Sequence, residues 1–289
     1  DDLRYCGETG GRGFTNSIEN CKFLGPTTFG DFDDSVIVEQ MGNLKCPSGL
    51  YFSTFSNVHI SSGALVKCCH CLSSVFVEKK AVIIGCGTIS STGTTNFSNG
   101  EKISVGLETG GRDLPICVNA TYPQILSIVE AHRNYSEADF QFINSVGEYQ
   151  KLKCAFTVVK SGAVIIACSK IIDCYIGNAA VLESSELINS TISSSKENTT
   201  TVVSGCIVRD SILQPGASVN DGAFLKGSLL MEYSSVGLHA KVTSSILAPE
   251  SHVSAGECHN SLLGPQVGFH HQSLLIAAIW PLGRGNLAY

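Results

Sequence analysis

The aliphatic residues from Leu213 to Val253 return on a period that few folds can accommodate. Leu213, Val219 and Leu225, then Leu230, Val236 and Val242, then Leu247 and Val253, advance by six, six and five, so the pattern repeats every 17 residues. Ser211-Ile212, Ser228-Leu229 and Ser245-Ile246 keep the same interval. Such a period marks a repeat architecture whose units bury their apolar sides against their neighbours. Helical heptads would need steps of three and four. Alternation puts offsets of two and four on one side of a strand. Four residues after the first aliphatic of each triplet stand Ala217, Ser234 and Ser251; after the second, Ala223 and Ala240; after the third, Leu229 and Ile246. The spacing predicts three strand–turn units per rung, each pointing one large and one small residue inward and together closing a triangle. Stacked rungs then pair strand to strand at roughly 4.8 Å. Pro215-Gly216 and Asp221-Gly222 suit the corners.

The same rhythm runs through most of the chain. Val38, Leu44 and Leu50 begin it, followed by Ile60, Val66 and Leu72, then Val77, Ile83 and Ile89, with Ala64 and Ala81 as small partners. It resumes at Val159, Ile165 and Ile171, then Ile176, Leu182 and Ile188, and closes with Leu263, Phe269, Leu275 and Trp280. The expected fold class is therefore an all-β solenoid, a parallel β-helix of about ten turns. It is interrupted once, where Ile125, Leu126, Ile128 and Val129 take helical spacing and Ser136 can cap a second helix. The division reads as N-terminal turns over 1–100, a helical insertion over 101–153 and C-terminal turns over 154–289. The polar run 193–201 is expected to be a loose bulge.

This rung pattern resembles the hexapeptide-repeat, left-handed parallel β-helix superfamily of trimeric LpxA-like proteins. Left-handedness and a homotrimer are implied by that resemblance, not by the periodicity. Two stretches, VGLETGGRD from Val105 to Asp113 and LLGPQVGFHHQSLLIAAIWPLGRGN from Leu262 to Asn286, resemble hexapeptide-repeat proteins labelled as related to UDP-N-acetylglucosamine pyrophosphorylase. The resemblance implies a β-helix and a link to nucleotide sugars. The nucleotidyltransferase domain, with its Gly-rich nucleotide loop, is not in this sequence.

A net charge of −6 with no basic run argues against nucleic acid as a partner. No apolar segment reaches the ~18 residues that would span a bilayer. Thirteen cysteines is a high and odd count. Many, such as Cys86, Cys168, Cys174 and Cys206, sit in apolar strand text, where a reduced thiol acts as a small hydrophobe. A reducing, cytoplasmic compartment is the expectation. The chain opens on Asp1 and stops at Tyr289, and both ends read as cuts from a longer protein.

Several residue groups are candidates for chemistry. ETGGR occurs twice, at Glu8 and Glu108; its paired glycines allow a tight backbone nest between a carboxylate and a guanidinium. It reads either as a structural turn with an internal ion pair or as a phosphate or nucleotide-sugar site built on Glu108, Gly110, Gly111, Arg112 and Asp113. His270 and His271, on the last regular turn, are the candidate catalytic pair, since imidazole suits proton transfer near neutral pH. The enzymes of the resembled superfamily often use such a histidine as general base. His239, His252 and His259 invite a zinc reading, but the register puts His259 inward and His252 beside an inward slot, so no metal is expected. Cys68-Cys69-His70-Cys71 has the residue types of a zinc site without a second ligand pair, and His70 falls at an inward position, as do Glu186 and Glu257. The reading is an accessory or scaffold β-helix related to sugar nucleotides, with no cofactor. The alternative is a transferase for a nucleotide sugar or acyl donor with a histidine base.

Overall fold

Strand alternation and the corners between strands build the molecule. The computed structural model describes residues 3–5, 17–32, 35–111, 113–131, 136–151 and 153–288. The described chain is a parallel β-solenoid of about 13 turns with one small helical insertion. The turns beyond the expected ten lie at both ends: strands Leu3–Tyr5 and Ile18–Glu19 come before the expected first rung, and Gly285–Ala288 follows the last. At the N-terminal end Phe23, Phe29, Leu50 and Phe55 line the interior in place of a regular aliphatic count, with the Phe23 and Phe55 rings stacked at 5.5 Å.

Each rung has three walls. The first runs as twelve parallel strands from Ile18–Glu19 to Gly285–Ala288. On it Val219, Val236 and Val253 stack in register and are 0–1% exposed, as the period requires. The second wall carries Leu72, Ile89, Ile171, Leu225 and Val242 inward, and the third carries Ile60, Val77, Val159, Leu213, Leu230 and Leu247. Strands Thr54–Ile60 and Cys71–Val77 run round the corner between these two walls, bending at Asn57 and Ser74, whose φ values are 54° and 55°.

One corner is held by a ladder of serines. Each hydroxyl of Ser190, Ser211, Ser228, Ser245 and Ser261 donates to the carbonyl two residues back. Each also accepts the backbone N–H of the residue above it, from Ser211 to Ala278. A buried amide that the strands leave unpaired is thus satisfied on each of these five rungs.

The register departs from the expected one where a rung has 16 residues instead of 17. Ile171 pairs with Leu187 and Val242 with Cys258, so these take the inward slots given to Ile188 and His259. Glu186 and Glu257 then face outward, where they pair with Arg209 at 2.7 Å and Lys241 at 3.0 Å. Facing water on one side relieves the burial cost that an inward carboxylate would carry. His70 is likewise exposed, and Cys69 fills the interior. Leu229 and Ile246 point out of the prism, with Ser228 and Ser245 as the small buried residues of that corner. Val38 and Leu44 are not rung positions either. Ser35–Val38 and Leu44–Pro47 form an antiparallel hairpin that lays Val38 on Leu65 and Val82 outside the first wall. The 193–201 run is pinned rather than loose: Thr200 donates its N–H to Ser194 and its hydroxyl to the Ser193 carbonyl.

The insertion is a subdomain docked on the third wall. An antiparallel bridge between Thr95 and Cys154 marks its base. It holds a hairpin, Lys102–Ser104 with Asp113–Pro115, and two helices, α1 (Tyr122–Ala131) and α2 (Glu137–Lys151). Ser136 caps α2 reciprocally: the Asp139 N–H donates to its Oγ while Asp139 accepts from the Ser136 N–H and Oγ. Ile103, Ile116, Ile125, Phe142 and Val146 bury the outward row Ile212, Leu229, Ile246 and Leu262. The Gln214 amide nitrogen donates to the Val118 and Ala120 carbonyls at 3.0 and 2.7 Å.

Candidate functional site

The ETGGR glycines form the tip of the insertion's hairpin. Gly110 and Gly111 take φ values of 79° and 103°, which adjacent glycines make accessible. Glu108 and Asp113 are exposed, and Asp113 accepts the Ser104 hydroxyl at 2.7 Å. Arg112 lies outside the described residues, as does the first copy, Glu8 to Arg12. The hairpin is fastened to the corner between the second and third walls, where the Gly106 N–H meets the Asn260 carbonyl at 2.6 Å and the Asn260 side chain donates to the Ser104 carbonyl at 3.0 Å. His270 ends the first-wall strand Val267–His270, and His271 begins the corner that follows it. The structure therefore does not bring the hairpin glycines and these histidines into one site.

It brings His270 to a different partner. His252 and His270 sit diagonally on adjacent strands, with His252 opposite Gly268 and Val253 opposite Phe269. Their Nε2 atoms are 2.9 Å apart and their rings 4.6 Å, while the exposed His271 ring lies 5.8 Å from that of His270. Burial, and then the neighbouring His270, hold the His252 imidazole below its ordinary pKa. His259 is elsewhere, on the second wall, with Nδ1 against Thr243 Oγ1 at 2.5 Å and Nε2 3.3 Å from Glu257. His239 is at a corner against Gly222. The Cys68–Cys71 run turns the corner between strands Leu65–Lys67 and Cys71–Val77, with Cys68 exposed, Cys69 buried and Cys71 half-buried. No group of three or more metal-ligating side chains is found among the described residues.

Two cavities lie on the outer face of the third wall. The larger, of about 460 Å³, opens where the insertion leaves the solenoid and is lined by Phe97, Asn99, Asn119, Lys153, Tyr175 and Thr191, among others. Phe97 and Tyr175 pack against each other in its lining, ring centroids 6.0 Å apart and tilted by 57°. Asn99 is locked, donating to Thr191 Oγ1 at 2.9 Å and accepting the Val118 N–H at 2.8 Å. The second cavity, of about 410 Å³, is lined by Thr28, Asp31, His59, Ser61, Phe76 and Lys79 among others. There Thr28 Oγ1 lies 2.6 Å from His59 Nδ1, and the imidazole is flanked by Phe76 at 6.0 Å and Phe156 at 5.4 Å.

Both cavities draw on one outward row, in which His59, Phe76, Val158, Tyr175 and Thr191 follow one another across paired strands up to Ile212, where the insertion takes over. Sequence reading missed this row. Its signal was present: each member immediately precedes an inward aliphatic of the third wall, from Ile60 to Leu213. A polar or aromatic run at an outward position that later turns aliphatic marks where a wall stops being covered.

None of the curated proteins compared with the chain matches it. The family model described as Domain of unknown function (DUF4954) matches residues 12–284, nearly the whole length. The protein is a member of the DUF4954 family.

Proposed function

We propose that this protein is an accessory or scaffold β-helix that binds a hydroxylated, phosphorylated ligand of the nucleotide-sugar class in the larger cavity. The observation that carries the reading is the cavity's chemistry. Two aromatic rings line it for a base or sugar, the Asn96 amide and Ser193 hydroxyl on its wall match sugar hydroxyls, and Lys153 supplies a cation for phosphate. A concave site with an apolar lining and a few convergent polar groups is the usual form of a small-molecule site. The six-residue steps of the inward rows support placing the solenoid with the hexapeptide-repeat, left-handed LpxA-like class. The test is thermal shift and calorimetry with UDP-N-acetylglucosamine, UDP and N-acetylglucosamine 1-phosphate. Ligand at about 100 times Kd stabilises the fold by about 2.7 kcal/mol. Tyr175→Ala and Lys153→Ala should abolish the shift. No shift with any of the three ligands would remove the proposal.

A second reading, a transferase with a histidine base, is favoured at one point by geometry. His59 faces a cavity and has one ring nitrogen oriented by Thr28, as a general base requires. His270 has its Nε2 turned to His252 instead. Turnover of acyl-CoA or nucleotide sugar that survives His270→Ala and is lost in His59→Ala would support this reading over the first.

A further inference from the structure

We propose that His252 and His270 form a two-nitrogen site for a divalent transition metal of the copper, nickel or zinc class, on the open face of the first wall. The separation of the two nitrogens is one that a chelated metal requires. Metal–nitrogen bonds of about 2.0–2.1 Å place two donors about 2.9 Å apart at a right angle and about 3.3 Å apart at the tetrahedral angle. The two Nε2 atoms are 2.9 Å apart.

The wall is shaped to let them meet. On this two-by-two patch of adjacent strands, His252 and Ser254 stand on one strand and Gly268 and His270 on the next. The bulky residues occupy one diagonal and the small ones the other. A Cβ built on Gly268 would lie 2.9 Å from His270 Nε2 and 3.0 Å from His252 Nε2, so the missing side chain leaves both nitrogens over bare backbone. The position one rung earlier carries Ser235, which pairs in register with His252, so no bulky neighbour closes the site from that side. The rings are mounted on hydrogen-bonded strands rather than on a loop, which keeps a bidentate site in place before the metal arrives. Imidazole donors suit copper(II), nickel(II) and zinc(II) over calcium or magnesium. Since no third metal-ligating side chain joins the pair among the described residues, water would complete the coordination and leave positions open to a further ligand.

The ordinary alternative is a bare hydrogen bond, one imidazole donating to the other. Titration of the metal-free full chain with copper(II) chloride, followed by calorimetry and electron paramagnetic resonance, distinguishes the two. The proposal expects one copper per chain and a hyperfine pattern from two nitrogens. His252→Gln and His270→Gln should each weaken binding at least tenfold and reduce that pattern to one nitrogen, whereas His271→Gln should leave both unchanged. Gly268→Ala, which removes no ligand but pushes a methyl between the nitrogens, should also weaken binding. Circular dichroism of each variant confirms that it is folded. Absence of binding, wild-type affinity in folded His252→Gln or His270→Gln, or loss of binding in His271→Gln would each overturn the assignment.

Discussion

Removing one hydroxyl from the serine ladder should cost far more than its size. Ser245 is fully buried; its Oγ donates to the Thr243 carbonyl at 2.7 Å and accepts the Ser261 N–H at 3.1 Å. In Ser245→Ala the Ser261 amide, on a residue with no exposed surface, loses the acceptor it has in the wild type. An orphaned buried donor costs about 1–3 kcal/mol, whereas a neutral exchange of both partners would cost almost nothing. At about 2–4 °C per kcal/mol for a chain of this size class, the melting temperature should fall by about 2–12 °C. Urea unfolding followed by circular dichroism measures the loss. Trp280, the single tryptophan, reports the last turn separately by fluorescence, so non-coincident transitions would reveal the solenoid opening from one end. Ser254→Ala, on the half-buried outer face, is the control and should change stability by less than about 0.5 kcal/mol. A Ser245→Ala variant as stable as that control would refute the ladder as an energetic element.

Three further outcomes are expected. Ile246→Ala, under the insertion, should lose about 2–5 kcal/mol and admit protease to α2 before the solenoid unfolds, which limited proteolysis reads directly. Thiol labelling of the native protein should reach the exposed Cys68 quickly. Cys174, which burial pushes up to about 12, and Cys168 and Cys258, each pushed up to about 11, should wait for unfolding. Burial of Glu78 opposes its ionisation, but hydrogen bonds from Lys160 and Ser161 outweigh it and lower its pKa below 4.5. A carboxyl with a depressed folded pKa contributes stability that is fully present above the unfolded value of about 4.5 and is lost as pH falls below it through the lower folded pKa. Glu78→Gln should therefore be less stable at neutral pH and show a flatter acid limb in urea unfolding than the wild type.

Much of the fold was legible because a solenoid must repeat its own local chemistry. Leu213, Val219 and Leu225 recur since each rung needs one aliphatic per wall, and Ser136 announces a helix start by residue type alone. Register was the weak point. Ile188 is as aliphatic as Leu187, and whether a corner holds one residue more or fewer is settled by how the chain closes, not by hydrophobicity. Val38 and Leu44 kept the six-residue step by coincidence while forming a hairpin outside the prism. The candidate sites were less legible still. His252 and His270 are 18 residues apart, one more than the period, so a reading in phase never places them side by side. His59 stood unremarked because only the wall's outer row links it to Phe76 and Tyr175.

What the sequence determined by itself was the interior: alternation and a fixed period oblige certain side chains to point inward, whatever surrounds the rung. What only the tertiary structure decided was the exterior. The docking of the insertion on Ile212, Leu229, Ile246 and Leu262, the hairpin laid on Leu65, and the meeting of two imidazoles over Gly268 all depend on residues far apart in the chain. Inward packing is imposed locally and repeats; outward contacts are made once each, between surfaces that exist only after the rungs have stacked.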